Sequence, residues 1–119
     1  MLGPLFEVIV YVHDMDAQVR FYRDVLGLVA TYPAGLASYS DEHWVAFDAG
    51  GVTLALHSGG EVTTGAPPRF GFHVNDIAAE RERLLAAGVQ CGELRSPAPG
   101  VQVCDCSDPE GTGFFIESR

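Results

Sequence analysis

Apolar residues near the start of the chain change from an almost unbroken run to a helical period. Residues 6–12 are apolar except for one acid, which predicts a strand. Asp14 then stands where a helix N-cap is expected, and Gly27 can end that helix in the left-handed conformation. Apolar side chains recur at helical spacing in between, at Met15, Val19, Tyr22 and Leu26. The pattern therefore predicts a strand followed by one helix.

The rest of the chain continues and then repeats this plan. Strands are predicted after the first helix at 28–32, 43–48 and 52–57. A strand at 70–74 then leads to Asp76, a second helix and Gly88. Three more strands are predicted beyond it, at 89–94, 101–106 and 112–117.

Matching blocks of sequence recur in order at a nearly constant distance. The pairs are Asp14 with Asp76, Gly27 with Gly88, and Asp48 with Asp108, at offsets of 62, 61 and 60 residues. Ordered recurrence of this kind indicates a tandem duplication. We predict an α+β fold, a single domain over 1–119, built from two tandem βαβββ modules. Module one is placed at about 5–57, a linker at 58–67 and module two at about 68–118.

The charge balance excludes one class of partner. The 119 residues include 7 basic side chains, all of them arginine, and 16 acidic ones, for a net charge of −9. Nucleic-acid binding needs a clustered basic surface, and this chain has none in its sequence. The first apolar run is also too short to cross a bilayer. We expect neither nucleic acid nor a membrane as a partner.

An odd number of cysteines favours a reducing compartment over a disulfide framework. Cys104 and Cys106 form a CxC pair, which differs from the CxxC spacing of redox and zinc sites, and Cys91 stands alone. We interpret all three as strand residues rather than as metal or redox ligands. The cytoplasm is the expected location.

Several of these segments resemble the vicinal oxygen chelate superfamily, which includes glyoxalase I, extradiol dioxygenases, fosfomycin-resistance enzymes and bleomycin-binding proteins. The segments that carry the resemblance are VHD at 12–14, FYRDVLGL at 21–28, FHVNDI at 72–77 and DPEG at 108–111. The similarity covers nearly the whole chain. It implies paired βαβββ modules whose curled sheets line a ligand cleft. It also implies a homodimer, because such clefts often form between two chains.

Four positions hold the metal in that superfamily, and this chain departs from a metal site at three of them. By the resemblance they are Glu7, Ala55, Arg69 and Phe115. A methyl group, a guanidinium and a phenyl ring offer no electron pair to a divalent ion. We therefore expect no metal cofactor. Two interpretations are left open. Glu7 and Arg69 form a salt bridge with each other, or the pair contacts a polar group of the ligand.

Strand alternation adds further side chains to the expected cleft. The full set of predicted ligand-binding residues is Glu7, Ile9, Tyr11, Trp44, Ala55, His57, Arg69, His73 and Phe115. The alternative is a relocated divalent metal site, held by Glu7, His57, His73 and Glu117. The sequence identifies no catalytic residue, although Glu7 is a candidate general base.

Two functions from different classes fit this lining. The first is a metal-free protein that binds and sequesters a small molecule, such as a cationic or aromatic antibiotic, by stacking and by its acidic field. The alternative is a glyoxalase- or dioxygenase-like lyase, isomerase or oxidoreductase that uses the relocated metal, or an isomerase without one. Whether the chain is an enzyme is left open.

Overall fold

The computed structural model describes residues 5–59, 67 and 69–119. The chain divides into two compact units, Met1–Val62 and Thr63–Arg119. Most of the predicted linker at 58–67 lies outside the described residues. Neither helix in the described part of the chain is long and apolar enough to cross a bilayer.

The first unit has the predicted order of one strand, one helix and three strands. Its elements are β1 (Glu7–Val12), α1 (Met15–Arg20), β2 (Val29–Tyr32), β3 (Trp44–Asp48) and β4 (Thr53–Ser58). Helix α1 continues as one wider, π-helical turn over Phe21–Val25. The strands form a mixed sheet in the order β1-β4-β3-β2, in which β1 runs parallel to β4 and the other pairs are antiparallel.

The second unit repeats this arrangement. Its elements are β5 (Phe70–His73), α2 (Ile77–Ala86), β6 (Gln90–Cys91), β7 (Arg95–Ala98), β8 (Val101–Ser107) and β9 (Gly113–Ser118). The sheet has the order β5-β9-β8-β6, with β5 parallel to β9, as β1 is to β4. The prediction of two βαβββ modules with mixed sheets is therefore confirmed.

The predicted strand at 89–94 is wrong in its extent. Only Gln90–Cys91 (β6) is strand within that range, and a separate strand, β7, begins at Arg95; both pair with β8. Gly92 still donates its N–H to the carbonyl of Asp105 (2.8 Å), after which the chain leaves the ladder until Arg95. Pro97, which has no N–H to donate, lies in a register shift of β7 between Arg95 and Ala98.

Both helices begin and end as the repeat predicts. Asp14 and Asp76 have extended backbones, and each side chain accepts a hydrogen bond from the N–H three residues later, at 3.0 and 3.1 Å. Gly27 and Gly88 then take positive φ angles of 81° and 85°, which a residue without a Cβ adopts at little cost. The caps thus place each helix at the same point after its first strand.

Each sheet packs one face against the helix of its own unit. Alternate strand positions are buried together with the apolar side of the unit's helix; in the first unit they include Val10, Val12, Val45, Phe47, Leu54 and Leu56, with Val19 and Tyr22 from the helical segment. In the second unit they include Cys104, Cys106, Phe114 and Ile116, with Ile77 and Leu84 from α2. The intervening side chains lie on the opposite surface, which we call the open face of each sheet.

The carboxylate of Asp16 stabilises the long connection between β2 and β3. Asp16 accepts a hydrogen bond from the backbone N–H of Tyr39 (2.8 Å) and forms an ion pair with Arg20. Tyr39 is buried, and its hydroxyl donates to the carbonyl of Pro33 (2.9 Å). These contacts hold the segment against the start of α1. The hydrogen bond from Tyr39, assisted by Arg20, lowers the pKa of Asp16 below its ordinary value of 3.8.

The lowered pKa of Asp16 predicts how acid affects this connection. Because the carboxyl binds its proton more weakly in the folded chain, its contribution to stability is present above pH 3.8 and is lost as the pH falls below that value. We expect the excess stability of the wild type over Asp16→Asn to vanish between about pH 5 and pH 2. Urea unfolding at several pH values measures the difference. A difference that stays constant with pH would contradict the assignment.

Candidate functional site

A row of three rings crosses the open face of the first sheet. Tyr11 on β1 and Trp44 on β3 both pair with His57 on the central strand β4. The centroid of the His57 ring lies 5.6 Å from that of Tyr11 and 5.6 Å from that of Trp44, in tilted and edge-on contacts. Tyr11 remains 49% exposed. The three rings therefore form a continuous aromatic surface, which we call the aromatic row.

The neighbouring row is small at its centre and large at its ends. Ala55 and Ala46 are paired and almost fully buried, whereas Ile9 and Tyr32 at the two edges are 41% and 68% exposed. Two buried methyl groups thus lie between larger, exposed side chains beside the aromatic row. Flat apolar ligands are the kind that such a surface accommodates.

His57 is held in one orientation by its neighbours. Its Nδ1 lies 2.5 Å from the carbonyl oxygen of Ser58, which can only accept, so Nδ1 carries the proton. Tyr11 and Trp44 flank this ring on either side. The aromatic row thus offers polar atoms, Nε2 of His57 and the hydroxyl of Tyr11, in addition to its ring faces.

The open face of the second sheet carries an ion-pair group in place of an aromatic row. Asp105 on β8 accepts hydrogen bonds from Arg69 and from Arg95, whose Nε lies 3.3 Å from Oδ2. These two guanidinium groups, Arg69 first, hold the pKa of Asp105 below its usual range. Arg69 also lies over the ring of Phe115, 5.2 Å from its centroid. Two arginines around one acid give this face a local charge of +1.

A glycine allows the ring of Phe115 to lie against the sheet. Gly71 is the strand partner of Phe115, and a Cβ on Gly71 would lie 2.2 Å from Cε2 of the ring. The ring therefore occupies the space that any other residue would fill. Gly71 is explained by this close approach, and Phe115 is held flat between Gly71 and Arg69.

The strand register shows which residues lie beside the positions that hold the metal in the superfamily. Ile9 pairs with Ala55 in the first sheet, and Gly71 pairs with Phe115 in the second. The duplication relates these two residue pairs to each other. Ala55 and Phe115 thus occupy equivalent places beside the parallel strands. Arg69 pairs with Asp105 within its own unit. A salt bridge from Glu7 to Arg69 stays a prediction, because the two residues belong to different units.

The four residues of the relocated metal site fall into two pairs with different spacing. His73 and Glu117 are direct partners on β5 and β9, and Glu117 accepts a hydrogen bond from Nε of Arg119 (2.6 Å). Glu7 and His57 lie four residues apart along β1 and β4, or about 13 Å. One ion could reach both only if the two side chains stretched towards each other along the sheet.

Asp105, Arg95 and Tyr32 are surface groups that sequence reasoning missed. Asp105 alternates with the two buried cysteines of the CxC pair, so it faces the side of the sheet opposite to them. That alternation was readable, because Asp105 is an acid between two apolar strand positions. Arg95 and Tyr32 could not be assigned, because each lies beside a register shift.

The chain matches the family model of the glyoxalase-like domain over residues 7–116. Similar solved structures include the fosfomycin resistance protein FosX of Listeria monocytogenes (TM-score 0.79, 16% identity, 100% of this chain and 95% of that one). Others are TnmS3, an antibiotic binding protein of Streptomyces sp. CB03234 (0.75, 19%, 98% and 96%), and lactoylglutathione lyase of Agrobacterium tumefaciens (0.74, 22%, 98% and 94%). No curated protein matches the chain. At these identities the structures establish the fold, and the family model, which spans nearly the whole chain, places this protein in the glyoxalase-like family of the vicinal oxygen chelate superfamily.

Proposed function

We propose that this chain binds and sequesters a small, planar aromatic molecule without a metal and without turnover. The observation that carries the proposal is the aromatic row on the open face, in which Tyr11 is exposed and His57 and Trp44 are partly exposed. Stacking on such rings contributes about 0.5–1.5 kcal/mol per ring pair beyond the buried area. The antibiotic-binding function named for TnmS3, a structure of the same fold, is consistent with this proposal.

The composition of the inherited metal positions supports binding without an ion. Ala55 presents a methyl group, Phe115 a ring that lies on Gly71, and Arg69 a guanidinium already paired with Asp105. None of these groups can donate electrons to a divalent cation. We propose that Arg69 and Phe115 on the second sheet contact a planar group that carries negative charge.

Fluorescence of Trp44 tests the proposal directly. The sequence contains one tryptophan, so the fluorescence signal comes from a member of the aromatic row. We expect saturable quenching by at least one member of a panel of planar aromatic antibiotics of positive, zero and negative charge. Tyr11→Ala should weaken that binding about three- to tenfold, because one stacking partner is lost. No quenching by any compound would count against the proposal.

Phe6 provides a matched control for Tyr11. It is a similarly exposed ring that immediately precedes β1, and its carbonyl accepts from the N–H of Thr53 (2.8 Å), so alternation directs its side chain away from the open face. Phe6→Ala should leave the affinity unchanged. Equal weakening by Phe6→Ala and Tyr11→Ala would mean that quenching arises from non-specific adsorption.

An enzyme with a relocated divalent metal is the alternative. It is favoured by the direct pairing of His73 with Glu117, which places a nitrogen and an oxygen donor side by side. Metal content after incubation with Mg²⁺, Mn²⁺, Fe²⁺, Co²⁺, Ni²⁺ and Zn²⁺, followed by removal of excess, separates the two. One ion per chain that is lost in Glu117→Gln would support a metal site at this pair and would count against binding without a metal. We further propose a cytoplasmic homodimer as the working form.

A further inference from the structure

The three cysteines gather on the side of the second sheet that faces away from the open face. Cys91 on the edge strand β6 pairs with Cys106 on β8, and their sulfur atoms are 3.6 Å apart. Cys104 lies two residues from Cys106 on the same face. All three sulfur atoms lie within 4.8 Å of one another. The CxC spacing, which differs from that of common zinc motifs, thus becomes a three-thiol cluster once the strands pair.

The cluster lies between the sheet and helix α2. Cys104 and Cys106 are buried, whereas Cys91 is partly exposed at the sheet edge. Arg81 of α2 donates a hydrogen bond from Nε to the carbonyl of Gly92 (2.8 Å), directly after Cys91, and the Cys104 sulfur lies 3.4 Å from the same oxygen. Cys91 is thus the least buried of the three cysteines, and the guanidinium of Arg81, which also forms an ion pair with Glu93 (3.8 Å), lies near it.

The surroundings of Cys91 and Cys106 oppose ionisation of their thiols. Burial raises the pKa of Cys106 far above its ordinary value of 9.0 and raises that of Cys91 as well, while the charge of Arg81 partly opposes the effect at Cys91. Such cysteines are poor nucleophiles at neutral pH. A bound cation supplies the positive charge that thiolates need in an apolar setting.

The number and spacing of the sulfur atoms select the kind of ion. Three sulfurs around one ion at about 2.3 Å would lie about 4 Å apart, which is close to the arrangement present. Among the described residues, no histidine or carboxylate joins the group to complete four ligands. Structural zinc sites are four-coordinate, whereas thiolates also select monovalent copper.

We propose that Cys91, Cys104 and Cys106 form a binding site for one monovalent copper ion. Binding forms copper–sulfur bonds, and each thiol that becomes a thiolate releases its proton to solvent. Copper keeps its oxidation state. Arg81 offsets part of the negative charge of the thiolates. This site is independent of the small-molecule function, because it lies on the opposite side of the sheet.

Competition with a coloured chelator tests the site. The reduced protein is titrated anaerobically against the Cu(I) complex of bathocuproine disulfonate. We expect removal of one Cu(I) per chain, a new ultraviolet absorbance from sulfur-to-copper charge transfer, and protection of all three thiols from a thiol reagent. Failure to remove copper from the chelator, or copper uptake with all three thiols still reactive, would overturn the proposal.

Two variants of the second unit test whether the three cysteines are responsible for copper binding. Cys91→Ser changes the partly exposed thiol and should weaken copper binding more than tenfold, with circular dichroism verifying that the variant is folded. Asp105→Asn changes the residue between Cys104 and Cys106 whose side chain points to the open face, and it should bind copper like the wild type. Equal affinity of Cys91→Ser and the wild type would also overturn the site.

Discussion

Replacing Phe114 by alanine is expected to lower the free energy of unfolding by about 3–5 kcal/mol. Phe114 is fully buried between β5 and β8, and its ring stacks on Phe70 at 6.4 Å and meets Phe72 edge-on at 6.0 Å. Removing it leaves a cavity that neighbouring strands can only partly close. Urea unfolding monitored by circular dichroism measures the loss.

Phe115 is the natural control, because it has the same side chain one residue further along β9. It lies on the open face, partly exposed, against Gly71 and beneath Arg69. Phe115→Ala should therefore lower the free energy of unfolding by only about 1 kcal/mol. Under the proposed function it should weaken ligand binding, which Phe114→Ala should spare in whatever fraction remains folded. A loss of stability for Phe115→Ala that exceeds the loss for Phe114→Ala would contradict the assignment of Phe114 to the buried face of β9 and of Phe115 to the open face.

Replacing Asp108 by alanine is expected to lower the free energy of unfolding by about 2–3 kcal/mol. Asp108 is buried in the turn before β9, and its Oδ1 accepts hydrogen bonds from the backbone N–H groups of Glu110 and Thr112, both at 2.9 Å. Alanine leaves both donors without this acceptor. Asp108→Asn keeps an oxygen in place and should restore most of the loss, as measured by urea unfolding.

The duplication supplies a second control for Asp108. Asp48 holds the equivalent position in the first unit, but it is exposed and its Oδ1 accepts one hydrogen bond, from the N–H of Gly50 (2.9 Å). Because water can replace that bond, Asp48→Ala should cost less than about 1 kcal/mol. Similar losses in the free energy of unfolding for Asp48→Ala and Asp108→Ala would show that burial of the carboxylate does not govern how much it stabilises its turn.

The repeat made much of this architecture predictable. Helix caps and glycine stops depend on a few neighbouring residues, so Asp14, Asp76, Gly27 and Gly88 could be assigned from their spacing alone. The resemblance assigned Phe115 to the cleft surface, and side-chain alternation then extended that surface to neighbouring strand positions. The break between β6 and β7 was not predicted, because a bulged edge strand has no clear period.

The amino-acid sequence by itself determined that two βαβββ modules form and which side chains of each strand share a face, since both follow from local periodicity, capping and the duplicated pattern. Only the tertiary structure decided which residues meet across strands. Asp105 was brought between Arg69 and Arg95, and Cys91 beside Cys106, by the register of β8 with its neighbours. Register is set by the packing of whole faces and by turn geometry, so it links residues that lie 10 to 36 positions apart and that no local pattern connects.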